Sequence, residues 1–235
     1  MTATYLTDGQ AVAAIARLSL ARVLRGKALW FAIGLGLLPV LVAVASRAKS
    51  GDAAETWDGL IVTFTLAMGI IAAILVSSSL SDELDERTAA YLWSRAVPRW
   101  SIVAGKLVGL VPLVAGPVLL GLTVSWLALS GPSTVGTTPL LRALGAFAMG
   151  SVGAASVAAL VATLAPRFGT PLAVGWLMLI DATFAGFDFS LKAVTVSYGT
   201  RALARGSTDW LAPVSLVAMT ALCLWWALRR VERIE

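Results

Sequence analysis

The sequence predicts an all-α integral membrane protein with six transmembrane helices, and three observations carry that prediction. The chain is 58% hydrophobic and only 13% charged, about half the charge of a soluble domain, which is roughly 25%. Apolar stretches recur near the length of about 20 residues that a helix needs to cross a hydrocarbon core of about 30 Å. Lys and Arg collect at the ends of these stretches rather than within them. Lipid cannot hydrogen-bond the backbone, so the stretches must be helical. The whole of 1–235 reads as a single membrane domain.

The first element is 10–27, where Val12, Ile15, Ala16, Leu20 and Val23 recur at helical spacing while Arg17 and Arg25 point away. This pattern suits a helix lying in the inner interface, the alternative being a cytoplasmic extension of the first span. The spans follow at 28–46, 59–80, 102–130, 143–165, 171–187 and 211–228. Ala43-Val44-Ala45 before Ser46 resembles a signal-peptidase site. The long segment ahead of 28–46 favours a retained span. Pro112 and Pro117 are expected to bend the third span. Between the fifth and sixth spans, 187–209 is too polar to cross and too apolar for a free loop. A segment on or dipping into the outer face fits it, with Leu191, Val194, Tyr198 and Leu203 along one side.

Orientation follows from the cations. With the N-terminus inside, Arg17, Arg22, Arg25, Lys27, Arg87, Arg95, Arg99, Lys106, Arg167, Arg229, Arg230 and Arg233 are inner. Arg47, Lys49, Arg142, Lys192, Arg201 and Arg205 are outer. Tryptophans fit interfacial belts, with Trp57, Trp126 and Trp210 at outer ends and Trp30, Trp100, Trp225 and Trp226 toward inner ends.

The charged stretch 81–106 lies between the second and third spans. Ser81 or Asp82 can cap a helix whose first turn carries Glu83, Asp85 and Glu86 at the positive end of its dipole. Thr88, Leu92 and Arg95 share one face, Pro98 ends the helix, and Trp100 marks return to the interface. A short cytoplasmic helix across the base of the domain is expected, in place of a plain solvated connector.

Several chemistries are excluded or disfavoured. The chain has no His, so the commonest general base and metal ligand is missing. Cys223 is the only cysteine, which rules out a disulfide within the chain. The basic residues form no single face for nucleic acid. Gly26-Lys27 and Gly105-Lys106 are followed by Ala28 and Leu107, so neither is a Walker motif.

Glu83-x-Asp85-x-x-Thr88, Leu92-x-Ser94, Arg99 and Gly105-Lys106-Leu107-Val108-Gly109 together resemble the signature of ABC-2 type transporter permeases, most closely their small six-helix branch. Arg87 stands where glycine is usual in that family, and Ala96 where proline is usual. The resemblance implies that 81–99 holds a coupling helix, with Glu83, Asp85, Thr88, Leu92, Arg95 and Arg99 meeting a separate ATPase. It implies that 10–27 is an elbow helix and that 187–209 forms short re-entrant segments. It further implies an exporter of the bacterial cytoplasmic membrane with both termini inside. Two ATPase subunits carrying ATP and Mg, and a second permease copy or a homologue, would complete the assembly; this chain would hold no cofactor or metal and do no covalent chemistry. The alternative is an ATP-independent carrier or a membrane scaffold.

Two carboxylates stand out near the membrane. Asp181 lies within the fifth span and Asp188 near its outer end, seven residues apart and so on nearly one helical face. An intramembrane carboxylate is functional by default. Asp181 is therefore either on a translocation path or structural, while Asp188 reads as structural or interfacial, paired with Lys192 or Arg142. Glycosidase-like use of the pair is remote at this depth. Gly105 and Gly109, and the run Ala146, Gly150 and Ala154, permit close helix contact within the chain or at a dimer interface.

Overall fold

In a computed structural model, the described residues are 8–49, 52–85, 100–129, 133, 135–187 and 190–232. They are helical throughout their regular structure, with no strand among them. Helix α1 (Asp8–Leu24) leads through Gly26 into α2 (Lys27–Ala48). Helix α3 begins at Ala53–Ala72, passes through a π-helical turn at Ala73–Ser77 and continues as Ser78–Asp85. Next come α4 (Trp100–Ala128) and α5 (Thr137–Leu164). Helix α6 is Gly169–Gly175, a π-helical turn at Trp176–Asp181, and Ala182–Phe184. A 3-10 turn (Ser190–Val194) precedes α7 (Val196–Arg205), and α8 is Leu211–Glu232.

Five of these, α2, α3, α4, α5 and α8, are long and apolar enough to cross a membrane. The expected sixth, at 171–187, falls on α6, whose stretches of 7, 6 and 3 residues follow one another without a break. That falls short of the roughly 20 residues of a full span. Helix α4 stays continuous through Pro112 and Pro117.

Boundaries follow local chemistry. Asp52 caps α3, its carboxylate accepting the Ala54 N–H at 2.9 Å. Helix α7 stops at Gly206, whose φ of 72° is the left-handed conformation that glycine adopts freely. There the N–H groups of Gly206 and Ser207 close back on Leu203 and Ala202.

Helices α3 and α5 form the centre and are mostly buried, whereas α2 and α8 are mostly exposed at the perimeter. Phe64 and Phe147 meet edge to face there, ring centres 6.3 Å apart. The outer helices give large side chains to the lipid-facing perimeter, including Leu41, Val44, Val214 and Leu222.

Small residues decide how closely the helices approach. A Cβ on Gly36 of α2 would stand 2.7 Å from Pro117 Cβ of α4, so this crossing requires the absence of a side chain. On α4, a Cβ on Gly105 would lie 2.8 Å from Ile15 Cβ and 2.9 Å from Val12 O. One on Gly109 would lie 2.6 Å from Ala16 O. The GxxxG of α4 is thus occupied within the chain, by α1. The predicted apolar residues of α1 are half-buried against this surface, Ala11 and Ser19 are fully buried between them, and Arg17 and Arg25 face out. On α5, Gly150 abuts Thr200 of α7, while Gly153 abuts Val196 of α7 and Leu216 of α8.

Two expectations need correction. Trp57 is buried in the core at 5% exposure, and Trp126 donates its indole N–H to Gly136 O at 2.8 Å. Trp57 thus serves packing within the bundle rather than an interfacial belt; among the described residues Trp30, Trp176, Trp210, Trp225 and Trp226 are exposed. Of the set expected along one side of this region, Leu203 packs on the core, whereas Val194, in the turn before α7, is 52% exposed; in α7 Gly199, Thr200, Arg201 and Ala204 are buried, the glycine and threonine where α5 and α8 come close.

Gly109→Val is expected to lower stability by about 1–3 kcal/mol through displacement of α1, because the added atoms meet rigid backbone. Gly116→Ala on the same helix meets nothing within 4 Å and should be neutral. Thermal unfolding in detergent, run side by side on the two variants, checks the difference.

Candidate functional site

Two polar constellations sit at opposite ends of the bundle. The first lies where α3 ends and α4 begins. The π-helical turn of α3 is lined by hydroxyls: Ser77 Oγ donates to Ala73 O, and Ser78 Oγ donates to Ile74 O. Ser77 Oγ also reaches Thr170 Oγ1 of α6 at 3.2 Å. At the residue after Ser78, Lys106 of α4, only 1% exposed, donates from Nζ to Ser79 O. On the far side Gly169 of α6 packs on Ser81 so closely that a Cβ would collide with its Oγ. The last turns of α3 are therefore held from α4 and from α6, and α4 is held in turn by α1 through Gly105 and Gly109.

Glu83 and Asp85 lie on the final turns of this anchored helix. Thr88, Leu92, Arg95 and Arg99 lie outside the described residues. The structure thus places the root of the predicted coupling segment on fixed supports at both ends, α3 before it and α4 after it. Sequence reasoning did not find Lys106 as a support. Its signal was a lysine just inside the start of an apolar span, where a buried ammonium needs a partner.

The second constellation is around Asp181, at the end of the π-helical turn of α6. It is 4% exposed. Its Oδ1 accepts the Val196 N–H at 2.8 Å and its Oδ2 accepts the Ser197 N–H at 2.9 Å. Those are the orphan donors of the first turn of α7, where negative charge also complements the helix dipole. Thr195 completes the cap, its hydroxyl accepting the Tyr198 N–H at 3.2 Å. The carboxylate thereby joins α6 to α7 across the intervening segment. Asp188 lies outside the described residues.

Around α7 further polar contacts gather. Tyr198 OH donates to Asp209 at 2.8 Å, and the Lys192 ammonium lies 5.3 Å from the centre of the Tyr198 ring. Arg205 faces Asp58 of α3 at 3.6 Å, an exposed pair of small energetic weight. Among the described residues no group of His, Cys, Asp and Glu side chains is arranged to hold a metal ion.

A bundle of helices long and apolar enough to cross a membrane, with their backbone hydrogen bonds made within each helix, defines an integral membrane protein. The chain belongs to the family described as ABC-2 family transporter protein, whose model matches residues 21–182. The match runs from the end of α1 to the residue after Asp181 and includes the segment between α3 and α4. In this family the chain is the membrane subunit of a transporter, and the partner is in general an ABC ATPase. No curated protein matches the chain.

Asp181→Ala strips two amides of their acceptor and is expected to destabilise the protein by about 1–3 kcal/mol. Asp181→Asn, which keeps one acceptor oxygen, should lose less. Thermal unfolding ranks the pair, and equal losses would refute the capping account. Lys106→Met retains the side chain's volume but removes the donor to Ser79. Accelerated proteolysis near 81–100, with no change elsewhere, is the expected signature.

Proposed function

We propose that this chain is the permease subunit of an ATP-driven exporter, moved by a separate ATPase through the segment 81–99. Membership of the ABC-2 family over 21–182 is the observation that carries this reading, and the anchoring of α3 and α4 supports it. A connector can deliver motion only if its roots are stiff. Here the root on α3 is tied by Lys106 and Thr170, and the root on α4 packs against α1 without a gap. In this reading α1 is the elbow helix, and 81–99 contains the coupling helix whose Glu83, Asp85, Thr88, Leu92, Arg95 and Arg99 meet the ATPase.

The six-span topology follows if α6 serves as the short fifth span. Its reach is made up by α7, which Asp181 fastens to its end. Both termini then lie in the cytoplasm of a cell bounded by the cytoplasmic membrane, in keeping with the distribution of Lys and Arg. Two permease chains, identical or homologous, would pair with two ATPase subunits that bind ATP and Mg. Closure of the ATPases would shift the population of the permease between inward and outward conformations. Asp181 is assigned a structural role in this cycle, since both of its oxygens are engaged by backbone amides. An ATP-independent carrier built on Asp181 finds no support in that geometry.

Charge reversal in the double variant Glu83→Lys, Asp85→Lys should leave ATP hydrolysis by the assembled complex within about twofold of wild type while reducing transport at least tenfold, a coupling loss of about 1.4 kcal/mol. Parallel measurements of ATP turnover and vesicle uptake provide the check. Undiminished transport by a correctly folded double variant overturns the coupling role.

A further inference from the structure

We infer that the cavity beside α7 is a binding site for a phosphate-bearing anion, supplied either by a lipid headgroup or by a free phosphomonoester. The cavity holds about 460 Å³ and is lined by Val62 of α3, by Ala185 and Gly186 just after α6, and by α7 and its flanking segments. Its polar lining is Lys192, Tyr198, Arg201, Arg205, Ser207 and Asp209. Arg201 is the unusual member. It is 8% exposed, and its Nε has no hydrogen-bond partner. A buried guanidinium is costly unless an anion faces it, and this one lines the cavity. Arg205 stands four residues on, along the same face of α7, so two like charges are neighbours.

Among the described residues, Asp181 attracts Arg201 electrostatically but forms no hydrogen bond to its Nε. Asp181 spends both oxygens on the amides of Val196 and Ser197. Asp209, the only carboxylate in the described lining, accepts from Tyr198 OH and from the Leu211 N–H at 3.0 Å. Asp58 meets Arg205 only at the solvent-exposed rim, 3.6 Å away. Two guanidinium forks and an ammonium around one cavity match the several oxygens of a phosphate, which arginine binds through paired N–H groups. The level of the site suits a headgroup, since helix ends and the exposed Trp210 mark the interface there.

The inference rests on the chain being a membrane protein and not on ATP coupling, so it is tested without an ATPase. The full chain is placed in phosphatidylcholine nanodiscs. In one arm phosphatidylglycerol is added to the bilayer and its retention is read by native mass spectrometry. In the other, glycerol phosphate is added in solution and its binding is read by the shift in unfolding temperature. Arg201→Gln is the direct variant. Lys192→Gln combined with Arg205→Gln, at positions less buried than Arg201, tests the site should burial make the first variant fail to fold. Wild type should prefer the anion in at least one arm, and the double variant should bind it about tenfold more weakly. Preference in the lipid arm alone assigns the site to a headgroup, and preference in both assigns it to the phosphate group itself. No anion preference in either arm, or undiminished binding by the double variant, overturns the inference.

Discussion

Among lipid tails, apolar side chains gain nothing by leaving one greasy surface for another, so a membrane bundle is held by close packing and by polar contacts that have no competitor in the hydrocarbon. The crossing of α2 over α4 rests on this constraint. Gly36 of α2 lies directly on Pro117 of α4, and Gly121 of α4 lies against the carbonyl of Gly36. Neither helix could come so near with a side chain at those positions. The same requirement governs α1 on α4 and α7 on α5. Each contact gains dispersion energy from many short approaches rather than from expelled water. The bundle is therefore intolerant of added volume at these seams and tolerant of it on the perimeter.

Polar groups complete what packing begins. Asp181 does for α7 what an N-cap residue does locally, but from another helix. A short helix cannot sustain itself by propensity alone. Helix α7 is ten residues long, contains Gly199, and buries an arginine, so its stability comes from its surroundings. The carboxylate at its start, the glycine stop at Gly206 and the wedge between α5 and α8 supply it. Lys106 plays a matching part at the other end of the bundle, tying α4 to a carbonyl of α3 just beyond a π-helical turn. Such turns recur at functional positions because they widen the helix and free backbone groups for other partners. The serines of α3 take up carbonyls in that turn, which keeps the wider geometry satisfied.

Much of this was legible in the chain before folding. Hydropathy and length locate α2, α3, α4, α5 and α8 because a span must be apolar along its entire length, and that demand is local. The face of α1 was legible for the same reason, its five apolar positions recurring with the helical period. What that face would touch was not. GxxxG announces that something comes close but does not name it, and the partner of Gly105 and Gly109 lies some ninety residues earlier in the chain. Trp57 misled because an aromatic at a helix end reads as interfacial unless the neighbouring helices are known to cover it. Asp181 was singled out by its cost in lipid, yet its partners, the amides of Val196 and Ser197, carry no side-chain signature. Backbone donors at a helix start are visible only once the start itself is placed.

These supports have a consequence for motion under the proposed reading. A displacement of 81–99 enters the bundle through the ends of α3 and α4. Lys106 makes those ends move together, and the glycine seam makes α1 follow α4. Helix α6 is linked to α3 by the Ser77–Thr170 contact, by Gly169 on Ser81 and by Leu177 packed against Gly69. Helix α6 in turn holds α7 through Asp181. A push at one face is thus conveyed to α7 at the opposite face by a continuous series of short contacts, each between elements that cannot slide without breaking a polar bond or opening a void. The cationic cavity lies at the end of that series, bordered by α3, by the end of α6 and by α7. Any rearrangement of α3 relative to α7 must alter the separation of Val62 from Arg201 and Arg205, and so change the space in which an anion is held. An anion bound there would favour whichever conformation keeps the two guanidinium groups converged, with a bias set by the difference in its affinity for the two states.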